Sequence, residues 1–211
     1  MCTPWEGTPE DPTTTLKRPL PVQDGIRVQG GNGHQEPTQE IPAALTAANI
    51  SLRGLAMMNI REAEQAVQDF QQLLDTTPDQ AVHLRMAPDA WTLAEIVGHL
   101  IDSASNNHQR FARLRLGDLD HFPGYDAEPW VAAQGYDACD FPALKALWSS
   151  YNTLLLHLTK TTPDSALNNS WNTSQGKQTL EFLVEDYYRH LRVHTEHYEN
   201  RLAEVVAEMN G

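Results

Sequence analysis

The chain has 211 residues, 40% of them hydrophobic and 20% charged, enough for one folded domain with a sizeable core plus a tail. Twenty-eight acidic against 15 basic residues leave a net charge of −13, which disfavours nucleic-acid phosphates and anionic membrane surfaces as partners. The two cysteines, Cys2 and Cys139, make no CxxC and no disulfide framework, so a reducing, cytoplasmic setting is expected. No run approaches the about 18 apolar residues of a membrane span, and the first thirty residues lack the apolar stretch of a secretory signal.

Residues 1–42 hold seven of the 13 prolines and five of the 12 glycines, with no apolar periodicity. Such a segment buries too little apolar surface to offset its ordering entropy. Residues 43–56 are mildly apolar but include Arg53 and Gly54. The expected division is therefore a disordered or loosely attached extension over 1–56 and a folded domain over 57–211, with Met57 or Met58 as a natural start.

From Asn59 onward Ile60, Ala63, Val67, Phe70 and Leu74 recur at steps of three and four, the stripe of an amphipathic helix ending near Pro78. Thr92 with Glu95 three residues on is a capping box. The helix it opens carries Leu93, Ile96, Val97, Leu100, Ala104, Phe111 and Leu114 and is expected to run to about Leu116. Residues 117–139 form a connection of a length often tied to function, with a short helix at "EPWVAAQ". A third long helix starts near Asp140 and ends near Lys160, with the stripe Leu144, Leu147, Trp148, Tyr151, Leu154, Leu155 and Leu158. "NNSWNTSQGKQ" reads as a polar connection with a turn at Gln175-Gly176. A last helix is expected from about Thr179 to about Met209. No period-2 segment competes with these assignments. The fold class is all-α: a four-helix bundle with a long connection between helices 2 and 3, behind a disordered tail.

The last helix contains "YYRHLRVHTEHYENRL". His190 and His194 are one turn apart, and the steps 183, 187, 190, 194 and 198 trace one face whose other members are Leu, Tyr and Tyr. Both imidazoles should point inward. Burying an imidazole nitrogen without a partner costs about 1–3 kcal/mol, and a shared metal would remove that cost. Two structural histidines are the alternative. His197 is rotated away and belongs at a rim. On the second helix Glu95, His99, Asp102 and Asn106 form a polar stripe beside the apolar one, either a solvated face or an inward one. His99 is the best further ligand, because Gly98 beside it lets another group approach closely. Glu95 precedes His99 by four residues rather than three, so the Glu-x-x-His pairs of a di-iron bundle are missing.

Taken in order, "WTLAEIVGHLIDSASNNHQRF", "FPGYDAEPWVAAQGY" and "GKQTLEFLVEDYYRHLRVHTEHYENRL" resemble the second helix, central connection and HxxxH helix of the DinB-like (YfiT-type) metal-binding four-helix bundles, from about Met58 to about Leu202. The resemblance implies a metal triad of His99, His190 and His194, with an open position for water or substrate. It also implies a metal-dependent transferase acting on a small molecule, in some relatives an S-transferase or isomerase using a low-molecular-weight thiol. Such a metal would bind the thiol as a thiolate. Zinc is the expected divalent ion, although three nitrogens also suit nickel, iron or copper. Asp102 would orient His99 or act as a base, and Asn106 would hold substrate. Tyr125, Asp126 and Trp130 would line the pocket mouth, with His197 beside the ligands. The alternative is a non-catalytic metal-binding or stress-associated bundle. A homodimer is compatible with helices of this length.

Overall fold

The computed structural model describes the backbone of residues 43–173 and 176–211, and side chains from residue 60 onward. Four long helices, α1 (Ala43–Thr76), α2 (Leu93–Leu114), α4 (Phe141–Thr161) and α5 (Leu180–Asn210), form the bundle. A short helix, α3 (Ala127–Gln134), lies in the long connection. The expected boundary at residue 57 falls inside α1, whose backbone extends back to Ala43; the expectation for residues 1–42 lies outside the described residues. No helix among the described residues is long and apolar enough to cross a membrane.

Helix starts follow local chemistry. At α2 the Glu95 amide donates to Thr92 Oγ1 (3.2 Å), and the Thr92 amide donates to Glu95 Oε2 (2.8 Å). The reciprocal box satisfies two amides that a helix N-terminus leaves free. Arg85 donates to Glu95 Oε1 at 2.8 Å. Burial alone would raise the Glu95 carboxyl, but its bonds from Arg85 and Thr92 hold it below its ordinary value. At α4 the Ala143 amide donates to the Asp140 carboxylate (3.0 Å), and Pro142 occupies the first turn. At α5 the Phe182 amide donates to Thr179 Oγ1 (3.2 Å).

α2 is the central rod. It packs against both α4 and α5, and every residue from Leu93 to Ala104 is buried. Glu95, His99 and Asp102 of the polar stripe therefore face protein, and Asn106 is half-buried. Phe70 of α1, Trp148 of α4 and Tyr198 of α5 meet in the core, with ring centroids 4.9 Å (Phe70–Trp148) and 5.2 Å (Phe70–Tyr198) apart. The Tyr198 and Thr77 hydroxyls share a hydrogen bond of 2.9 Å, which gives the buried phenol its partner. On α4 the apolar stripe is narrower than its sequence suggests: Leu144, Trp148 and Leu155 are buried, whereas Leu147 and Leu154 are exposed.

The polar segment read as a plain connection instead forms a hairpin, β2 (Ser170–Thr173) and β3 (Gly176–Thr179), with Ser170 opposite Thr179. A two-residue strand, β1 (Leu119–Asp120), adds in parallel to β2, giving the sheet order β1-β2-β3. These strands are too short and too polar for period-2 alternation to show. Side chains hold them instead. Asp118 Oδ1 accepts from the Ser170 amide (2.7 Å), and Asn172 Nδ2 donates to Asp120 Oδ1 (2.6 Å).

Candidate metal centre

α2 and α5 run side by side and bring His99, His190 and His194 together. One donor nitrogen from each ring lies within 4.8 Å of the others. His99 Nε2 and His190 Nε2 are 3.3 Å apart, and the His194 ring centroid is 4.5 Å from that of His99 and 4.4 Å from that of His190. Either one Nε2–H donates to the other Nε2, or both lone pairs converge on a cation. Two nitrogens at about 2.0–2.1 Å from a tetrahedral ion are separated by about 3.3–3.4 Å, which matches the His99–His190 pair. The Nδ1 atoms of all three histidines are buried without hydrogen-bond partners.

The rings are held neutral. Burial, then the proximity of His190 and His197, pushes His99 down to about 4. Burial, then His190, His99 and His197, pushes His194 down to about 3. Burial also lowers His190, against Asp186. A neutral imidazole is the form that binds a metal, so burial prepares three ligands at once. Trp91 closes one side, its ring centroid 5.1 Å from that of His99.

His197 lies next to this group without joining it. Its ring is 5.9 Å from that of His194, and it is half-buried. Asp102 is buried, but it does not orient His99: its Oδ1 accepts from Gln134 Nε2 (2.6 Å) and the Tyr136 hydroxyl (2.7 Å), while His99 Nδ1 goes without a partner. Burial raises the Asp102 carboxyl, and those two hydrogen bonds oppose the rise. Its Oδ2 is buried with no partner. Asn106 donates to the Asp102 carbonyl of its own helix at 2.9 Å. Tyr125 is half-buried beside Ser103 and stacks on Trp130 (4.9 Å), which stays 40% exposed. Asp126 is exposed and caps α3 without a side-chain bond.

Gln134 and Tyr136 carry no motif, and sequence reasoning passed over both. The signal was Gly98. A Cβ there would lie 2.0 Å from Tyr136 Cδ2 and 2.2 Å from its Cγ. The group that Gly98 admits is the Tyr136 ring. Gly135 makes this possible: it ends α3 in the left-handed region (φ 60°), turning the chain so that Tyr136 drops onto α2.

Fold and site together describe a helical bundle with a three-histidine centre shared by two of its helices. The chain belongs to the DinB superfamily, whose family pattern it matches over residues 62–198. No curated protein matches it by sequence. Among solved structures it is similar to YfiT from Bacillus subtilis, a probable metal-dependent hydrolase with an unusual four-helix bundle topology. That match has a TM-score of 0.62 and 19% identity, covering 84% of this chain and 95% of YfiT. It is also similar to a mycothiol-dependent maleylpyruvate isomerase, with a TM-score of 0.57 and 14% identity, over 66% of this chain and 59% of the isomerase. At these identities the likeness is one of fold.

Proposed function

We propose that this protein is a metal-dependent enzyme acting on a small molecule, with His99, His190 and His194 holding one divalent ion. The observation that carries this reading is the convergence of three neutral imidazoles from two helices within 4.8 Å. Three protein nitrogens leave a coordination position open, the arrangement of a reactive rather than a closed structural site. Zinc is the default ion; nickel and iron accept the same donors. When bound, such an ion lowers the pKa of a ligated water or thiol, which makes it nucleophilic near neutrality. A thiol-dependent transfer or isomerisation is the favoured reaction class, since a structurally similar protein is a mycothiol-dependent isomerase. Hydrolysis follows from the same chemistry with water as the nucleophile.

The chain's own residues supply the surroundings. Trp91 packs on His99 and excludes water from that side. Asp102, one turn along α2, offers a free carboxylate oxygen that can take or return a proton. A cavity of about 450 Å³ lies between α1, α4 and the start of α5, lined among others by Ala63, Thr159 and Tyr188. It does not include the histidines. We place the chemistry at the histidines, because a cavity without convergent reactive groups defines no reaction.

Elemental analysis of the purified protein tests the reading. Wild type should carry about one divalent ion per chain, and a His190→Ala/His194→Ala variant should carry almost none. Equal metal content in the two would sink it. A screen with several cellular thiols then separates transfer from hydrolysis.

A further inference from the structure

Arg110 is 7% exposed and has no carboxylate partner among the described residues. This is unusual, because a buried cation is normally paired. The chain has 28 acidic residues and a net charge of −13, so a partner was available many times over. Instead the guanidinium lies over the Trp171 ring, its Cζ 4.3 Å from the centroid. Nη1 makes one long hydrogen bond, 3.4 Å, to Asn107 Oδ1. Nε is buried with no acceptor. One edge of a bidentate donor is thus left unused, in a setting where losing water is costly.

The position of this edge is as telling as its state. Arg110 follows His99 by eleven residues on the same helix. Three helical turns bring it back to within about 20° of the His99 face, about 16 Å along the axis. The Nη1 contact to Asn107 Oδ1 turns the guanidinium about one helical turn back in the direction of the histidines. Ser103 and Asn106 lie between them on the same stripe, and Tyr125 of the long connection stands beside Ser103.

We propose that Arg110 anchors a carboxylate on the small molecule that the histidine centre serves; the inference rests on the reading of that centre as a reactive site. The side-on edge of a guanidinium matches two carboxylate oxygens. One cation in a strongly acidic protein suits a singly charged carboxylate better than a doubly charged phosphate. Trp171 holds the guanidinium plane in place, so little rotamer freedom is lost on binding. The ligand is then elongated: a carboxylate at one end and, on the order of 10 Å away, the group that reaches the metal position.

The test is a titration of the full-length protein with sodium acetate, treated with chelator and repeated after zinc loading. The Arg110 Nε–H resonance is followed by NMR, with sodium chloride at equal ionic strength as control. The resonance is identified by its loss in Arg110→Lys or by its contact with the Trp171 ring, so the wild-type titration does not depend on the variant folding. A saturable shift with acetate, absent with chloride and weakened at least tenfold in folded Arg110→Lys, is the expected result. No saturable response, or tighter binding of inorganic phosphate than of acetate, overturns the assignment. Metal content measured on the same samples reads the histidine centre separately. Zinc binding without an acetate response removes the anchor alone. An acetate response without zinc binding removes the metal reading and leaves Arg110 as a carboxylate site.

Discussion

Gly98→Ala is the sharpest test of how the long connection is fastened to the bundle. On an ordinary helix the change should stabilise by about 1 kcal/mol, because alanine is the better helix former. Here the added methyl would lie 2.0, 2.2 and 2.6 Å from three carbons of the Tyr136 ring. Both groups sit on well-held backbone, so the ring must leave. Overpacking of this kind costs about 1–3 kcal/mol. Moving the ring also takes the Tyr136 hydroxyl from Asp102 Oδ1, and a hydrogen bond to a charged group is worth about 1.5–3 kcal/mol. Subtracting the propensity gain leaves a net loss of about 1.5–5 kcal/mol. Urea unfolding followed by circular dichroism should show it as a lower midpoint at unchanged slope. The second arm is a double-mutant cycle. In a Tyr136→Ala background the clash is absent, and Gly98→Ala should become stabilising by about 1 kcal/mol. If the alanine variant is as stable as wild type, or its cost persists without the Tyr136 ring, the account of Gly98 is wrong.

Tyr136→Phe keeps the ring on Gly98 and removes only the hydroxyl, so it should cost about 1.5–3 kcal/mol by urea unfolding and leave metal content unchanged. His99→Ala should abolish stoichiometric metal binding by elemental analysis, while His197→Ala should retain it. Metal-free protein should lose stability as pH falls. The His99 folded pKa lies near 4 and its unfolded value near 6.5, so between those values the unfolded chain binds more protons. This contribution is present above pH 6.5 and is lost as pH drops through 4, amounting to about 3 kcal/mol for His99. Thermal unfolding of chelated wild type and His99→Asn across that range measures it; equal pH slopes in the two would refute it. Leu155→Ala, in the closed core of α4, should cost about 2–5 kcal/mol by the same unfolding assay.

The helices were legible because their signals are local. The Thr92–Glu95 box forms at the start of α2 as its spacing requires, and Leu183, Tyr187 and Tyr198 are buried on the face that carries His190 and His194. The His190–His194 pair was legible for the same reason, since a helical register fixes which side chains share a face; His99, on another helix, entered as the third ligand through the family resemblance. Three things were not legible. The turn of the β2–β3 hairpin was marked by Gln175-Gly176, but its strands were not: they are short and polar, and Asp118 and Asp120 from a distant segment help to hold them. The partners of Asp102 come from Gln134 and Tyr136, placed by a left-handed glycine rather than by a motif. Arg110 looks like any surface arginine until the tertiary fold lays Trp171 against it. Pairings across long sequence separations carry no periodicity, and so a single sequence does not display them.

The connection between α2 and α4 is fastened at both ends. Near its start β1 is zipped to β2; near its finish Tyr136 is wedged against Gly98. Between these two staples lie the residues around His121, whose backbone adopts φ 56°, and Tyr125 with its Trp130 neighbour. Amide hydrogen exchange should therefore divide this segment into three zones: slow at the Leu119–Asp120 pairing, fast through 121–126, and slow again from Val131 to Cys139. The middle zone is tied through side chains instead, with the Phe122 carbonyl accepting from Trp171 Nε1 at 3.1 Å.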